Sequence, residues 1–255
     1  MASMRRVTAL LPSAMVVVAL VILLQLFLPY ARVPDYILPL PSAVLYELFA
    51  PGFPWTSNAL VTLEEAAIGL GLAILVGGGL AILIDASSLL SRTLQPLIVS
   101  AQVIPKVALA PVLFLWFGLD IVPRILTVFL VCFFPIVIDT SAGLAAAEPD
   151  MLDLVRSFDA GRVTLLLKVK LPNALPNIFS GLKVAASLAI VGAVVSEFIW
   201  ADSGLGYLIV SSQVSLNAPV MFGATALLIF EGFLLYGSVL LAERILIPWR
   251  AKENV

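Results

Sequence analysis

Among the charged side chains inside otherwise apolar stretches, five could do chemistry: Glu64, Glu65, Lys106, Glu197 and Glu231. Carboxylates and an amine can relay protons, neutralise one another or hold a polar solute. Inside hydrocarbon each is costly enough to face protein or water rather than lipid. Other chemistry is excluded by what is missing. The chain has no histidine, which removes Ser–His nucleophiles, imidazole metal sites and the usual proton shuttle. Its one cysteine, Cys132, lies in an apolar run and reads as a small packed side chain with no disulfide partner. Gly77–Gly79 also lies in an apolar run and lacks the lysine that a phosphate loop needs. No catalytic residue, metal site or cofactor is expected, and any use of ATP requires a partner to supply the site. A membrane-embedded enzyme is disfavoured on the same grounds.

Lys106, next to Pro105, is the deepest cation. One reading pairs it with Glu65 or Glu197, or lets it snorkel, because an unpaired charge in hydrocarbon costs several kcal/mol. The other places it on a path for an anionic or polar solute. The candidate pathway residues are Glu65, Gln102, Pro105, Lys106, Ser196 and Glu197. Pro96, Pro105 and Pro111 free backbone carbonyls that could line the same path. Glu64 and Glu65 are expected near an outer membrane surface, one of them facing solvent. Glu231 is expected at a helix–helix contact rather than beside Arg244. Gly69, Gly71 and Gly77–Gly79 suit close helix packing.

The elements that must position these groups are membrane helices. Hydrophobic residues make up 62% of the 255 positions and charged residues 12%, and mean hydropathy is +1.13. An ordinary soluble domain is about half apolar and about a quarter charged. The chain therefore reads as an all-α integral membrane protein, a single domain over 1–255. Runs of about 20 apolar residues give six transmembrane helices near 7–29, 58–84, 94–117, 122–145, 176–200 and 220–247. The first lacks a small-residue cleavage site after its apolar core and is taken as a retained helix rather than a signal peptide. Arg5, Arg6, Arg92, Arg156, Arg162, Lys168, Lys170, Arg244, Arg250 and Lys252 then fall on one side, with only Arg32 and Arg124 on the other. The positive-inside rule makes both termini cytoplasmic. The aromatic outer segment 30–57 suits the membrane interface and holds a short helix around 41–50. Residues 203–212 read as a short outer or re-entrant helix after the tight turn at Gly204 and Gly206. No internal repeat is apparent.

The longest cytoplasmic connection is about 146–175. "DMLDLVRSFDAG" predicts a short helix with Met151, Leu152, Leu154, Val155 and Phe158 on one face and Asp150, Asp153, Arg156 and Ser157 on the other. Asp159 to Gly161 breaks it, a second short helix "RVTLLLKV" follows, and Leu171, Pro172 and Pro176 predict an extended elbow into the fifth span. The segment is either a hairpin lying on lipid headgroups or a docking knob for a cytoplasmic protein.

"VKLPNALPNIFSGLK", ending just past Gly181, resembles the end of the EAA loop of permease subunits in bacterial ABC importers. Asp153, Leu154 and Val155 stand at the EAA positions, and Asp159 stands where that family has glycine, with Gly161 two residues on. "YILPLPSAV", "TLEEAAIGLG", "IPKVALAPVLFLWFGLD", "FFPIVIDTSAGL" and "VVSEFIWADSGLGYLI" extend the resemblance, in order, along almost the whole chain. They are similar to the nitrate/sulfonate/taurine group, which includes permeases for thiamine-precursor pyrimidines and riboflavin.

The resemblance implies a type I importer (MetI-like) bundle in the bacterial inner membrane. It implies a homodimer of permeases, a cytoplasmic ABC ATPase dimer and an extracytoplasmic substrate-binding protein as partners, with membrane lipid around it and no nucleic acid. The ATPase-docking loop would be Asp153, Leu154, Val155, Arg156, Ser157, Phe158, Asp159, Ala160, Gly161 and Arg162. The elbow would be Leu171, Pro172, Pro176 and Gly181. "TLEEAAIGLG" and "AERILIPW" look more like the pyrimidine-precursor and riboflavin branch than the sulfonate, taurine or nitrate one. The competing function is an ion-coupled secondary transporter using Glu65, Lys106 and Glu197 as a relay.

Overall fold

A computed structural model describes residues 2–31 and 33–248, and these are helical nearly throughout. In chain order the helices are α1 (Ala2–Ala31), α2 (Pro41–Leu48), α3 (Trp55–Ala86), α4 (Ser88–Ala101), α5 (Ala110–Phe117), α6 (Ile121–Ala145), α7 (Pro149–Ser157), α8 (Arg162–Leu165), α9 (Leu171–Ile199), α10 (Leu205–Val214) and α11 (Ala218–Leu246). A 3-10 turn, Lys106–Leu109, precedes α5, and a π turn, Leu166–Lys170, joins α8 to α9. Arg32, Arg250 and Lys252, three of the charges used to assign sidedness, lie outside the described residues.

Four of the described helical stretches are long and apolar enough to cross a membrane: Trp55–Ala86, Ile121–Ala145, Arg162–Ile199 and Ala218–Leu246. They coincide with the second, fourth, fifth and sixth spans expected from the sequence. The expected third span is not one helix. It is α4 and the Lys106–Phe117 segment, set at 86° to each other across a short break, and together they make a fifth span if counted as one. Pro105 sits at the break and lacks the N–H group that would continue the ladder, and Pro111 follows in the first turn of α5. The first expected span falls on α1, where Met15–Ala31 is a shorter apolar stretch.

Helix α6 runs between α3 and α9, and small residues set the spacing. Val128, fully buried, is held between two glycines. A Cβ at Gly69 of α3 would come within 2.5 Å of the Val128 Cβ, and one at Gly192 of α9 within 2.9 Å of its Cα. Further along, Gly143 of α6 lies against Ala174, and Gly181 of α9 against Asp139. Without a hydrophobic drive between helices in lipid, this close backbone approach is what dispersion needs. Cys132 lies in this seam as a packing residue, its thiol donating to the Ala185 carbonyl at 3.3 Å.

The elbow predicted at Leu171–Pro176 is not extended. Leu171 is helical (φ −64°, ψ −47°) and Pro176 lies inside α9. Pro172, in the first turn of α9, follows directly on the π turn, in which the Leu171 N–H bonds to the Leu166 carbonyl five residues back. Widening the turn relieves the clash that a proline ring makes with the preceding turn's carbonyl. The result is one helical run from Arg162 to Ile199, 38 residues long.

Candidate functional site

Three regions carry the polar groups singled out above. The first lies where α3, α6, α9 and the start of α10 converge. One face of α3 presents Asn58, Thr62 and Glu65, one turn apart and all buried. The Thr62 hydroxyl donates to Glu197 Oε1 at 2.7 Å. The N-terminus of α10 is capped entirely by side chains. The Gly204 N–H donates to Asn58 Oδ1 at 2.7 Å, the Leu205 N–H to Thr62 Oγ1 at 2.8 Å and the Gly206 N–H to Glu197 Oε2 at 2.5 Å. A helix start leaves its first N–H groups without intrahelical partners, and here three residues of α3 and α9 take them up.

Glycine is required at both ends of this cap. Gly204 has φ +109°, and a Cβ there would collide with the Glu197 carboxylate; one at Gly206 would come within 2.7 Å of Glu197 Oε2. Glu65 is paired by Arg124 of α6, whose Nη1 donates to Glu65 Oε1 at 3.0 Å while Nη2 reaches Asp202 Oδ1 at 3.3 Å. Arg124 was used in the sequence only to assign sidedness. A lone arginine among apolar residues, at the same end of the bundle as Glu65, was the available signal. Glu64 is exposed, as one of the two acids was expected to be. Asp202, in the exposed loop after α9, has its carboxyl held below the ordinary range, by the Ser203 hydroxyl first and by Arg124 as well.

The second region is the broken span. Lys106 does not pair with Glu65 or Glu197. Its Nζ donates to the Gln102 carbonyl at 2.8 Å and lies 4.7 Å from the Phe134 ring centre. The carbonyl is one of those left free where α4 ends, so the amine caps the break that the prolines open. Gln102 and Pro105 are exposed beside it. The structure thus separates the six candidate pathway residues. Glu65, Ser196 and Glu197 are buried together, with the Ser196 hydroxyl turned back to the Ala193 carbonyl at 2.7 Å. Gln102 and Pro105, both exposed, and the half-buried Lys106 stand apart from them on the bend. A relay through Glu65, Lys106 and Glu197 lacks its middle link. Glu231 of α11 is buried, its Oε2 without a hydrogen-bond partner among the described residues. Its expected alternative partner, Arg244, lies beside Glu243, and Glu243 itself pairs with Lys183 at 2.9 Å.

The third region is the opposite end. Helix α7 is amphipathic as predicted, but only Leu152 and Val155 of its apolar face are even half-buried. Met151, Leu154 and Phe158 are exposed, Phe158 by 78%. Asp153 and Arg156 pair with each other at 2.9 Å on the outside. Asp159 takes the left-handed conformation, φ +60°, and so makes the turn that a glycine would make. Gly161 follows in extended backbone as the cap of α8. Behind the hairpin, Lys170 is tied to Asp85 at the end of α3 by contacts of 2.7 and 2.9 Å.

Residues 69–252 match the family described as "Binding-protein-dependent transport system inner membrane component". The chain belongs to this family. It is 36% identical over 230 residues to a probable ABC transporter permease protein of Haemophilus influenzae, covering 90% of this chain and 94% of that one. It is 32% identical to the formylaminopyrimidine transport permease protein ThiX of Halalkalibacterium halodurans, with 86% of this chain and 88% of that one covered. It is also 32% identical to the riboflavin transport system permease protein RibX of Chloroflexus aurantiacus, with 86% and 82% covered. The bundle is shared with an inward-facing MetNI methionine ABC transporter structure at a TM-score of 0.65 and 19% identity, covering 78% of this chain and 99% of that one. At that identity the likeness speaks for the fold alone. The permease is thus a multi-pass inner-membrane subunit of an ABC importer for small solutes, a transport component rather than an enzyme, working with ATPase and substrate-binding partners.

Proposed function

We propose that the permease forms a homodimeric pathway for a thiamine-precursor pyrimidine or riboflavin, with aliphatic sulfonate, taurine or nitrate as the next substrates to test. The relatives ThiX and RibX, each 32% identical over most of the chain, support the first choice. In this reading residues 1–255 make one permease domain with six spans, α1 being the first and α4–α5 the third. Both termini lie in the cytoplasm, as the excess of Arg and Lys at the hairpin end favours. The docking loop is Asp153 to Arg162, which enters the ATPase subunit.

The observation that carries the docking assignment is the exposed trio Met151, Leu154 and Phe158 on a hairpin turned by Asp159. Three large apolar side chains around a charged pair are what a partner's groove would bury. The half-buried Lys106 on the bend is the pathway residue of this scheme. A cation at that depth faces a second copy or water in preference to lipid.

The test is uptake in proteoliposomes holding the permease, its ATPase and its binding protein, with labelled pyrimidine precursor, riboflavin and taurine presented in turn. ATP-dependent uptake of one of the first two is expected. Uptake without the ATPase, driven by a proton gradient, would sink the proposal, and uptake of taurine alone would replace the substrate.

A further inference from the structure

The end of the bundle that carries α10 is acidic on its surface. Asp35 lies in the chain before α2 and Glu47 within α2; Glu64 stands on α3, Asp120 precedes α6 and Asp202 follows α9. All but the half-buried Glu47 are exposed. Arg124 is the only base at this end among the described residues, Arg32 lying outside them, and it is buried. Its charge is answered by Glu65 at 3.0 Å, out of solvent. Its second contact, to Asp202 at 3.3 Å, draws the loop after α9 against the start of α6. There Asp120 Oδ1 accepts the Ile121 N–H at 2.7 Å. Asp120 and Asp202 therefore belong to one patch. Glu64 shares their level in the bundle, being the residue before the Glu65 that Arg124 holds, and it forms no ion pair among the described residues. The positive-inside rule accounts for the scarcity of bases here but not for the acids, because Asp and Glu contribute little to it.

We infer that this acidic face is the docking surface for the substrate-binding partner, and that the partner meets it with lysines and arginines. Like charges left unanswered on one face repel one another. A basic partner face removes that repulsion, steers the encounter and fixes its register. The family makes a substrate-binding partner part of the system; the charges add the place of the contact and its sign. The inference rests on the orientation proposed above, which puts this end outside, and on no particular substrate. Its test reads the association of two proteins, so a change of substrate in the uptake assay leaves the result standing.

The experiment places the full-length permease and its ATPase in nanodiscs, which leave both faces open, and adds the binding protein of its system. Association and dissociation rates are read by biolayer interferometry at about 50 and about 500 mM salt. The wild-type association rate is expected to fall at least about tenfold across that range, as steered encounters do. Glu64→Gln, Asp120→Asn and Asp202→Asn together should lower it about tenfold at the lower salt and remove most of its salt dependence, while changing dissociation by less than about threefold. Asparagine still caps a helix start, so α6 keeps its cap, and unchanged ATPase association shows that the variant is folded. Glu148→Gln with Asp150→Asn removes exposed acids from the opposite end and should leave binding-protein association within about twofold. A wild-type rate indifferent to salt, or equal losses in the two variants, overturns the inference. A rate that rises when Glu64, Asp120 and Asp202 are neutralised also overturns it, because the partner's face is then acidic. Loss of ATPase association in that variant, with binding-protein association unchanged, overturns the inference together with the orientation.

Discussion

The two ends of the bundle treat their polar groups in opposite ways. At the α10 end, Asn58, Thr62, Glu65, Arg124 and Glu197 are buried and are joined to one another or to backbone N–H groups. At the hairpin end, Asp153, Arg156 and Phe158 are exposed, and apolar and charged groups alternate without a covering layer. The first arrangement is closed within one chain apart from Glu65 Oε2 and Arg124 Nε, which have no hydrogen-bond partner among the described residues. The second, in the docking scheme proposed above, is half of an interface. The contrast separates what a permease must do alone, which is to hold its helices in register, from what it does only with a partner.

Removing one partner from the buried end should cost most. Arg124→Ala leaves Glu65 buried without its ion pair, an expected loss of about 3–5 kcal/mol. Thermal unfolding in detergent reads it, and a melt unchanged from wild type would show that the buried knot is not what holds this end. The double change Asp153→Ala with Phe158→Ala should do the reverse. It should cost at least about 2 kcal/mol of ATPase association with a melt within about 0.5 kcal/mol of wild type. Intact association in a pull-down would misplace the docking surface.

Pro172→Ala with Pro176→Ala sharpens the comparison, because α9 connects the two ends. With normal N–H groups restored, the π turn loses its cause and should tighten to α. That turns the hairpin relative to the bundle by roughly one residue's rotation, on the order of 100°. Substrate moved per ATP hydrolysed should fall more than ATPase association does, and the reverse order would refute the coupling role. The smallest effect belongs to Asp202, at the exposed rim of the knot. Its carboxyl is held below the ordinary value, so its contribution is present above the unfolded pKa, about 3.9, and is lost as pH falls through the lower folded value. Melts of wild type and Asp202→Asn should differ slightly at neutral pH and converge in acid.

Much of this was legible in the sequence. Spans expected at 122–145 and 220–247 appear as Ile121–Ala145 and Ala218–Leu246, because long apolar runs leave little choice in lipid. The short helix after Gly204 and the α7 amphipathicity were visible for the same kind of local reason. The Arg124–Glu65 pair was not. Its partners lie 59 residues apart on different helices, and which faces of two helices meet is set by packing, here by Val128 between Gly69 and Gly192. The extended elbow failed for a different reason. The bias of a residue before proline is a local preference; a wide turn precedes Pro172 and keeps the backbone bonded, and α9 continues through Pro176.

That wide turn has a mechanical consequence. A helix of 38 residues at about 1.5 Å per residue is roughly 57 Å long, nearly twice the thickness of a bilayer's hydrocarbon core, about 30 Å. With the far end pinned by Glu197 under α10, the surplus length projects at the hairpin end as a lever arm. A lever without an extended joint converts a small sideways displacement at α8 into tilt about its pinned end.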